Sequence, residues 1–173
     1  MATHSVPIRT RDRAKTLSAS SVFDGALYWS VMSGIYLAFG FLWYYAAKEK
    51  LFDQNGDMPA GLAKAYKGSF LESLPGLNAA WLLLGLLEGV VFLVILASLL
   101  TGEFLPARPK PILLFGLGLS MATFAVMAFA QNMIADHESV ASLFTYMTGT
   151  AVIVLLVRML PPYRGRLERS SNE

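Results

Sequence analysis

The stretch LNAAWLLLGLLEGVVFLVILASLLT, from Leu77 to Thr101, carries a single ionisable side chain, Glu88, in an otherwise apolar run. A helix needs about 20 predominantly apolar residues to cross the hydrocarbon core of a bilayer, and this run exceeds that length. Three further runs do the same: from about Ala26 to Ala47, from about Ile112 to Ala130 and from about Val140 to Leu160. The reading is an all-α integral membrane bundle of four transmembrane helices. It divides the chain into an N-terminal tail at 1–25, a transmembrane domain at 26–160 and a C-terminal tail at 161–173.

Composition agrees. Hydrophobic residues make up 55% of the 173 and charged residues 15%, against roughly 45–50% and 25% in soluble domains. With 14 Lys and Arg and 12 Asp and Glu, there is too little charge to coat the apolar excess, so lipid must be part of the solvent. Cysteine is absent, which excludes disulfides, thiolate metal sites, iron–sulfur clusters and CxxC redox chemistry. A net charge of +2 without a continuous basic patch gives no reason to expect nucleic acid as a partner. The first run is dense in bulky aromatics from Tyr28 to Tyr45 and leads into Lys48-Glu49-Lys50 without a small-residue cleavage pattern, so it reads as a retained span and not a signal peptide.

Charge placement sets the expected orientation. Arg9, Arg11, Arg13, Lys15, Arg108, Lys110, Arg158, Arg164, Arg166 and Arg169 fall on one side, and Lys48, Lys50, Lys64 and Lys67 on the other. Ten against four places both termini in the cytoplasm of a multi-pass plasma-membrane protein by the positive-inside rule. The first outer connection, 48–76, is long enough for a helix of its own. Pro59 followed by Leu62, Ala63, Tyr66 and Phe70 predicts a short amphipathic helix there, capping the bundle or serving as a lid. The inner connection, with Pro106, Pro109 and Pro111, reads as a stiff extended link.

Asp53, Asn55 and Asp57 have the spacing that begins a calcium loop, but the sixth position is Met58 and the twelfth Lys64, so a turn around Asn55-Gly56 is expected instead. His4 and His137 lie outside the spans, which leaves no facing pair for an intramembrane haem. Glu88 has no such bland account. A carboxylate near the midpoint of a span costs a few kcal/mol or more, so something must offset it. Protonation would lower the cost, and hydroxyls at comparable depth could supply hydrogen bonds: Ser33 and Tyr36 on the first span, Ser120 and Thr123 on the third, Thr148 and Thr150 on the fourth. Gly85 and Gly89 bracket Glu88 in GxxxG spacing, which lets a neighbouring backbone approach. Three roles stay open for Glu88: a staple between helices, a ligand or quinone contact, and a proton relay. The hydroxyls of the fourth span bond their own helix or line a polar cavity, whose entrance Gln131 and Asn132 would share. Trp43, Tyr44, Tyr45 and Trp81 read as headgroup-level anchors.

A first span with Gly40 leading to Lys50-Leu51-Phe52, a loop closing on Leu74-Pro75-Gly76, and a second span with Leu86-Leu87-Glu88-Gly89 resembles the DoxX-like family of small four-helix membrane proteins. The resemblance covers about residues 30 to 135. The chain departs from the family in its longer first loop and in lacking a histidine at the outer end of the third span. What the resemblance implies is an accessory membrane subunit beside other membrane subunits of an oxidoreductase, of the thiosulfate:quinone oxidoreductase type, with bound quinone or lipid near Glu88. The alternative is a small lipid-binding or carrier protein with a midplane pocket at Glu88.

Overall fold

A computed structural model describes residues 10–73 and 76–161, with side chains from residue 25 onward. Helix α1 (Thr10–Lys48) continues into a π-helical segment (Glu49–Asp53); α2 (Ala60–Ala65) and α3 (Phe70–Ser73) are short; α4 (Leu77–Leu100), α5 (Pro111–Met133) and α6 (His137–Met159) follow. Four helices are long and apolar enough to cross a membrane: Gly25–Asp53, Leu77–Leu100, Pro111–Met133 and His137–Met159. The helical backbone of α1 thus reaches well into the segment read from sequence as a tail. The C-terminal tail lies outside the described residues. Two compact units are distinguished, Met1–Gly34 and Ile35–Glu173, and every contact below lies within the second.

The side-chain distribution suits lipid as the surrounding solvent. Leu83, Leu86, Val90 and Leu93 on α4, Phe115, Val126 and Phe129 on α5, and Phe144, Val152 and Leu155 on α6 are exposed, whereas Glu88, Ser98, Ser120, Thr123 and Thr150 are buried. In α4 the buried residues are Gly85, Glu88, Val91, Ile95 and Ser98, one face at helical spacing with the carboxylate near its middle. The third and fourth spans pack on each other along their length, and α5 also packs on α4. Close approach between α4 and α5 depends on Gly116: a Cβ there would lie 3.1 Å from Ile95 Cγ1 and 3.2 Å from Val94 Cγ1.

Antiparallel contacts fix the register of α1 on α4. Tyr36 hydroxyl meets Ser98 Oγ at 2.6 Å, the Tyr44 and Phe92 rings lie 5.4 Å apart, and the Cβ position of Gly89 is 3.9 Å from Ala47 Cβ. Glu88 therefore faces the end of α1, about three turns from Tyr36.

The connections are compact. α2 ends at Ala65, and Gly68, with φ +80, lies between it and α3, so the expected amphipathic helix forms as two pieces. Asn55 (φ 49) and Gly56 (φ 80) form the expected turn; a Cβ at Gly56 would lie 3.1 Å from Leu82 Cδ1. The link between α4 and α5 is not extended as its prolines suggested. Glu103 N donates to Ser98 O, Leu105 N to Gly102 O and Arg108 N to Leu105 O, giving successive turns. Buried Glu103 then caps α5, its Oε1 accepting from Ile112 N at 3.0 Å and Oε2 from Leu113 N at 2.8 Å, with Pro111 filling the first helical position where no N–H is needed. Lys110 is fully buried and donates to the carbonyls of Leu105, Arg108 and Pro161 at 3.1–3.2 Å. Burial holds its ammonium below the ordinary lysine range, and the charge of Glu103 opposes that shift.

Between α5 and α6 the chain turns within three residues. Ala135 takes φ 55, Asp136 N donates to Gln131 O, and Asp136 accepts from Ser139 N at 3.1 Å as the cap of α6. The Ser139 hydroxyl and N–H hold the Asp136 carboxyl below its usual range. A left-handed conformation costs a residue with a Cβ about 1–2 kcal/mol. Ala135→Gly should therefore raise stability by about 0.5–1 kcal/mol, read as a higher melting temperature of the detergent-solubilised protein; an unchanged or lower melting temperature would show that Ala135 is unstrained.

Candidate ligand site at the Lys50–Glu88 ion pair

The partner of Glu88 is Lys50. Its Nζ lies 3.0 Å from Glu88 Oε2, with 8% and 1% of the two side chains exposed. The contact is an ion pair and not an aligned hydrogen bond, and both carboxylate oxygens are otherwise without hydrogen-bond donors among the described residues. Such a pair is expensive to bury and holds only where geometry is enforced. Three local features enforce it here.

The first is the π turn. Gln54 N bonds Glu49 O at 2.9 Å, and the side chains follow the same five-residue spacing: Lys48 Nζ binds both carboxylate oxygens of Asp53 at 2.8 Å, and Gln54 Nε2 donates to Glu49 Oε1 at 3.0 Å. Single π turns within helices occur frequently at functional sites. The second is Gly85, where a Cβ would lie 2.9 Å from Lys50 Cβ and 3.1 Å from Leu51 Cδ2. Only a glycine lets the lysine backbone come this near, which is the use the GxxxG spacing has in this chain. The third is Trp81, whose ring carries Lys50 Nζ 4.7 Å above its centroid while its Nε1 donates to Gln54 Oε1 at 2.8 Å. The connection itself is tied to the start of α4 through Asn78, which accepts from Met58 N at 3.1 Å and donates to Asp57 Oδ1 at 2.9 Å. The carboxylates of the would-be calcium loop are thus engaged by Lys48 and Asn78.

Beside the pair is a cavity of about 220 Å³. Apolar walls come from the connection (Met58, Leu62, Leu71), from α4 (Ala80, Leu84) and from α5 (Val126, Met127, Phe129, Ala130); its polar groups are Lys50, Tyr66, Trp81 and Gln131. Gln131 Oε1 is buried without a hydrogen-bond partner among the described residues. Burial, with the charge of Asp136 adding to it, holds the buried Tyr66 phenol above its ordinary pKa, so it remains a neutral hydroxyl. The lining includes Lys50 and no carboxylate: Glu88, the ion-pair partner of Lys50, does not line the cavity.

None of the hydroxyls expected around Glu88 bonds to it. Tyr36 bonds Ser98. Ser120 accepts from Trp43 Nε1 at 2.9 Å and donates to Gly116 O. Buried Thr123 donates to Leu119 O, buried Thr150 to Tyr146 O, and exposed Thr148 to Phe144 O, the bonds to the preceding turn that Ser and Thr commonly make within spans. Ser33 is exposed and belongs to the first compact unit. Trp43 and Trp81 are not free anchors: one is buried and bonded to Ser120, the other holds Lys50. Lys50, Tyr66 and Trp81 were missed as site residues. The available signal was a charge argument, since a carboxylate inside a span calls for a cation and Lys48 and Lys50 are the nearest lysines to an end of the first span.

Comparison of the chain with protein-family models, with curated proteins and with solved structures returns no match.

Removing one member of a buried pair leaves the other uncompensated and costs about 3–5 kcal/mol, whereas replacing both with apolar residues is often neutral. Glu88→Leu and Lys50→Met should each lose that much stability, and the double variant should recover most of it. Equal additive losses in the double variant would show that the two side chains are energetically independent.

Proposed function

We propose that the chain is a membrane-embedded binding protein that takes the head of an amphiphile, of the lipid or quinone class, into the cavity beside Lys50. The observation that supports this most directly is a buried ammonium lining an otherwise apolar cavity at one end of a membrane bundle. In a low-dielectric site an ammonium with an accessible N–H favours an oxygen acceptor strongly, and the apolar walls favour a hydrocarbon chain or ring beside it. Gln131, with an unpartnered carbonyl oxygen, adds a group that would take a donor from the same head.

Size limits the occupant. Pockets that enclose a whole drug-sized ligand measure about 300–1,000 Å³, so the present cavity accommodates a head and the first few carbons, with the tail continuing along the lipid-facing surface. The two short helices of the connection contribute Leu62, Tyr66 and Leu71 to the wall, as a lid would. In the orientation supported by the distribution of Lys and Arg, the cavity lies toward the outer leaflet of a plasma membrane. A quinone occupant would agree with the oxidoreductase-linked accessory role that the DoxX-like resemblance implies; a lipid occupant would agree with a carrier.

Ala80 lines the cavity and takes no part in the ion pair, and Ala80→Phe places a ring in the cavity. Protein purified in mild detergent should retain an amphiphile detectable by native mass spectrometry, and the variant should lose it with little change in melting temperature. Equal occupancy in both proteins would rule the cavity out as the binding site.

A further inference from the structure

The charges at the cavity constrain what binding must do, given that the cavity is a ligand site as proposed above. Lys50 and Glu88 together are neutral, and both are withdrawn from solvent. An amphiphile with a monoanionic head that reaches Lys50 adds a negative charge to this closed group. Two anions would then share one ammonium in a low-dielectric site, an arrangement that strong like-charge repulsion opposes. Among the described residues no second cation lines the cavity, and Lys64 and Lys67 of the connection are exposed to the surroundings. From the segment 49–53, Glu49 adds negative charge and Asp53 is matched by Lys48; α5 contains no ionisable residue between Pro111 and Met133; α4 contains Glu88 alone. From the connection Tyr66 offers a neutral phenol, and on α6 the ionisable groups other than Tyr146 sit at the helix ends.

We infer that the site binds a monoanionic amphiphile together with one proton, taken from water onto Glu88 as the head replaces that carboxylate at Lys50. No bond in the ligand is made or broken: the proton moves to a Glu88 oxygen, the ammonium changes partner, and the site stays neutral before and after. Among the described residues Glu88 has no donor besides Lys50, so once Lys50 turns to the head only protonation leaves the carboxyl without a bare charge. The device makes loading and release respond to local pH. A neutral head such as an alcohol or a quinone carbonyl accepts from Lys50 without displacing Glu88 and needs no proton.

The test uses the full-length protein in maltoside detergent with two probes of equal chain length: 1-decanesulfonate, whose head stays anionic throughout, and 1-decanol. Titration calorimetry from pH 6 to 8, in two buffers of different ionisation enthalpy, reads affinity and protons together. The sulfonate should lose affinity about tenfold per pH unit, with about one proton taken up per ligand, as single-proton linkage requires, while decanol should show neither. In Glu88→Gln the sulfonate should bind independently of pH, because Lys50 then has no anion to release. Proton uptake by the unaltered protein keeps the inference testable even if that variant does not fold. Sulfonate binding to the wild type without pH dependence or proton uptake overturns the coupling, as does a slope that persists in Glu88→Gln. If decanol binds and Ala80→Phe blocks it while the sulfonate does not bind, the cavity stands as a ligand site and the proton coupling falls. If neither probe binds, the cavity reading falls first and the coupling with it.

Discussion

A charge inside a membrane bundle cannot be left to solvent, and the rest of this architecture follows from how that constraint is met. Glu88 occupies the buried face of α4, so its compensation has to arrive from a neighbouring helix at a fixed height. Lys50 supplies it, and in doing so sets the register of α1 against α4, requires glycine at position 85, and draws the connection down until Asn78 and Trp81 hold it. Greasy surfaces facing lipid specify little about how far one helix slides along another; an ion pair specifies it to within a turn. The hydroxyl contacts of Tyr36 with Ser98 and of Trp43 with Ser120 then follow on the same register.

Much of the fold was legible because the bilayer imposes a length rule that few soluble segments satisfy. Four apolar runs were sufficient to give four helices, with ends within a few residues except at α1, whose helix begins at Thr10 and runs through Lys48 into the π turn. Glu88 was legible as an anomaly for the same reason. Its partner was not, because depth was judged by counting from the ends of apolar runs. That count treats each span as equally deep, whereas the first helix stops short of the level at which α4 begins, and the intervening residues pack above it. The shift is about three turns, enough to put Tyr36 opposite Ser98 and to bring a lysine that looked like a loop residue against the carboxylate. Ser120, Thr123, Thr148 and Thr150 bond within their own helices for a simpler reason: a Ser or Thr in a helix has a carbonyl of its own within reach and needs no distant acceptor.

The amphipathic connection shows the same limit on a smaller scale. Apolar spacing from Leu62 to Phe70 was read as one helix, and periodicity is blind to the single residue that breaks it. Gly68 adopts a conformation available to glycine at little cost, and the segment folds as two short pieces that wall a cavity instead of one rod lying on the surface.

Lys110 carries a consequence for how the helix ends are held together. A rule based on lysine and arginine counts describes the chain as it inserts, when each cation is still hydrated and responds to the membrane and its potential. In the finished fold this lysine is fully buried and its ammonium closes on three backbone carbonyls, one of them beyond the last span, at Pro161. The cation therefore acts as a clasp: it joins the connection before α5 to the chain just past α6, holding together two helix ends that are far apart in sequence.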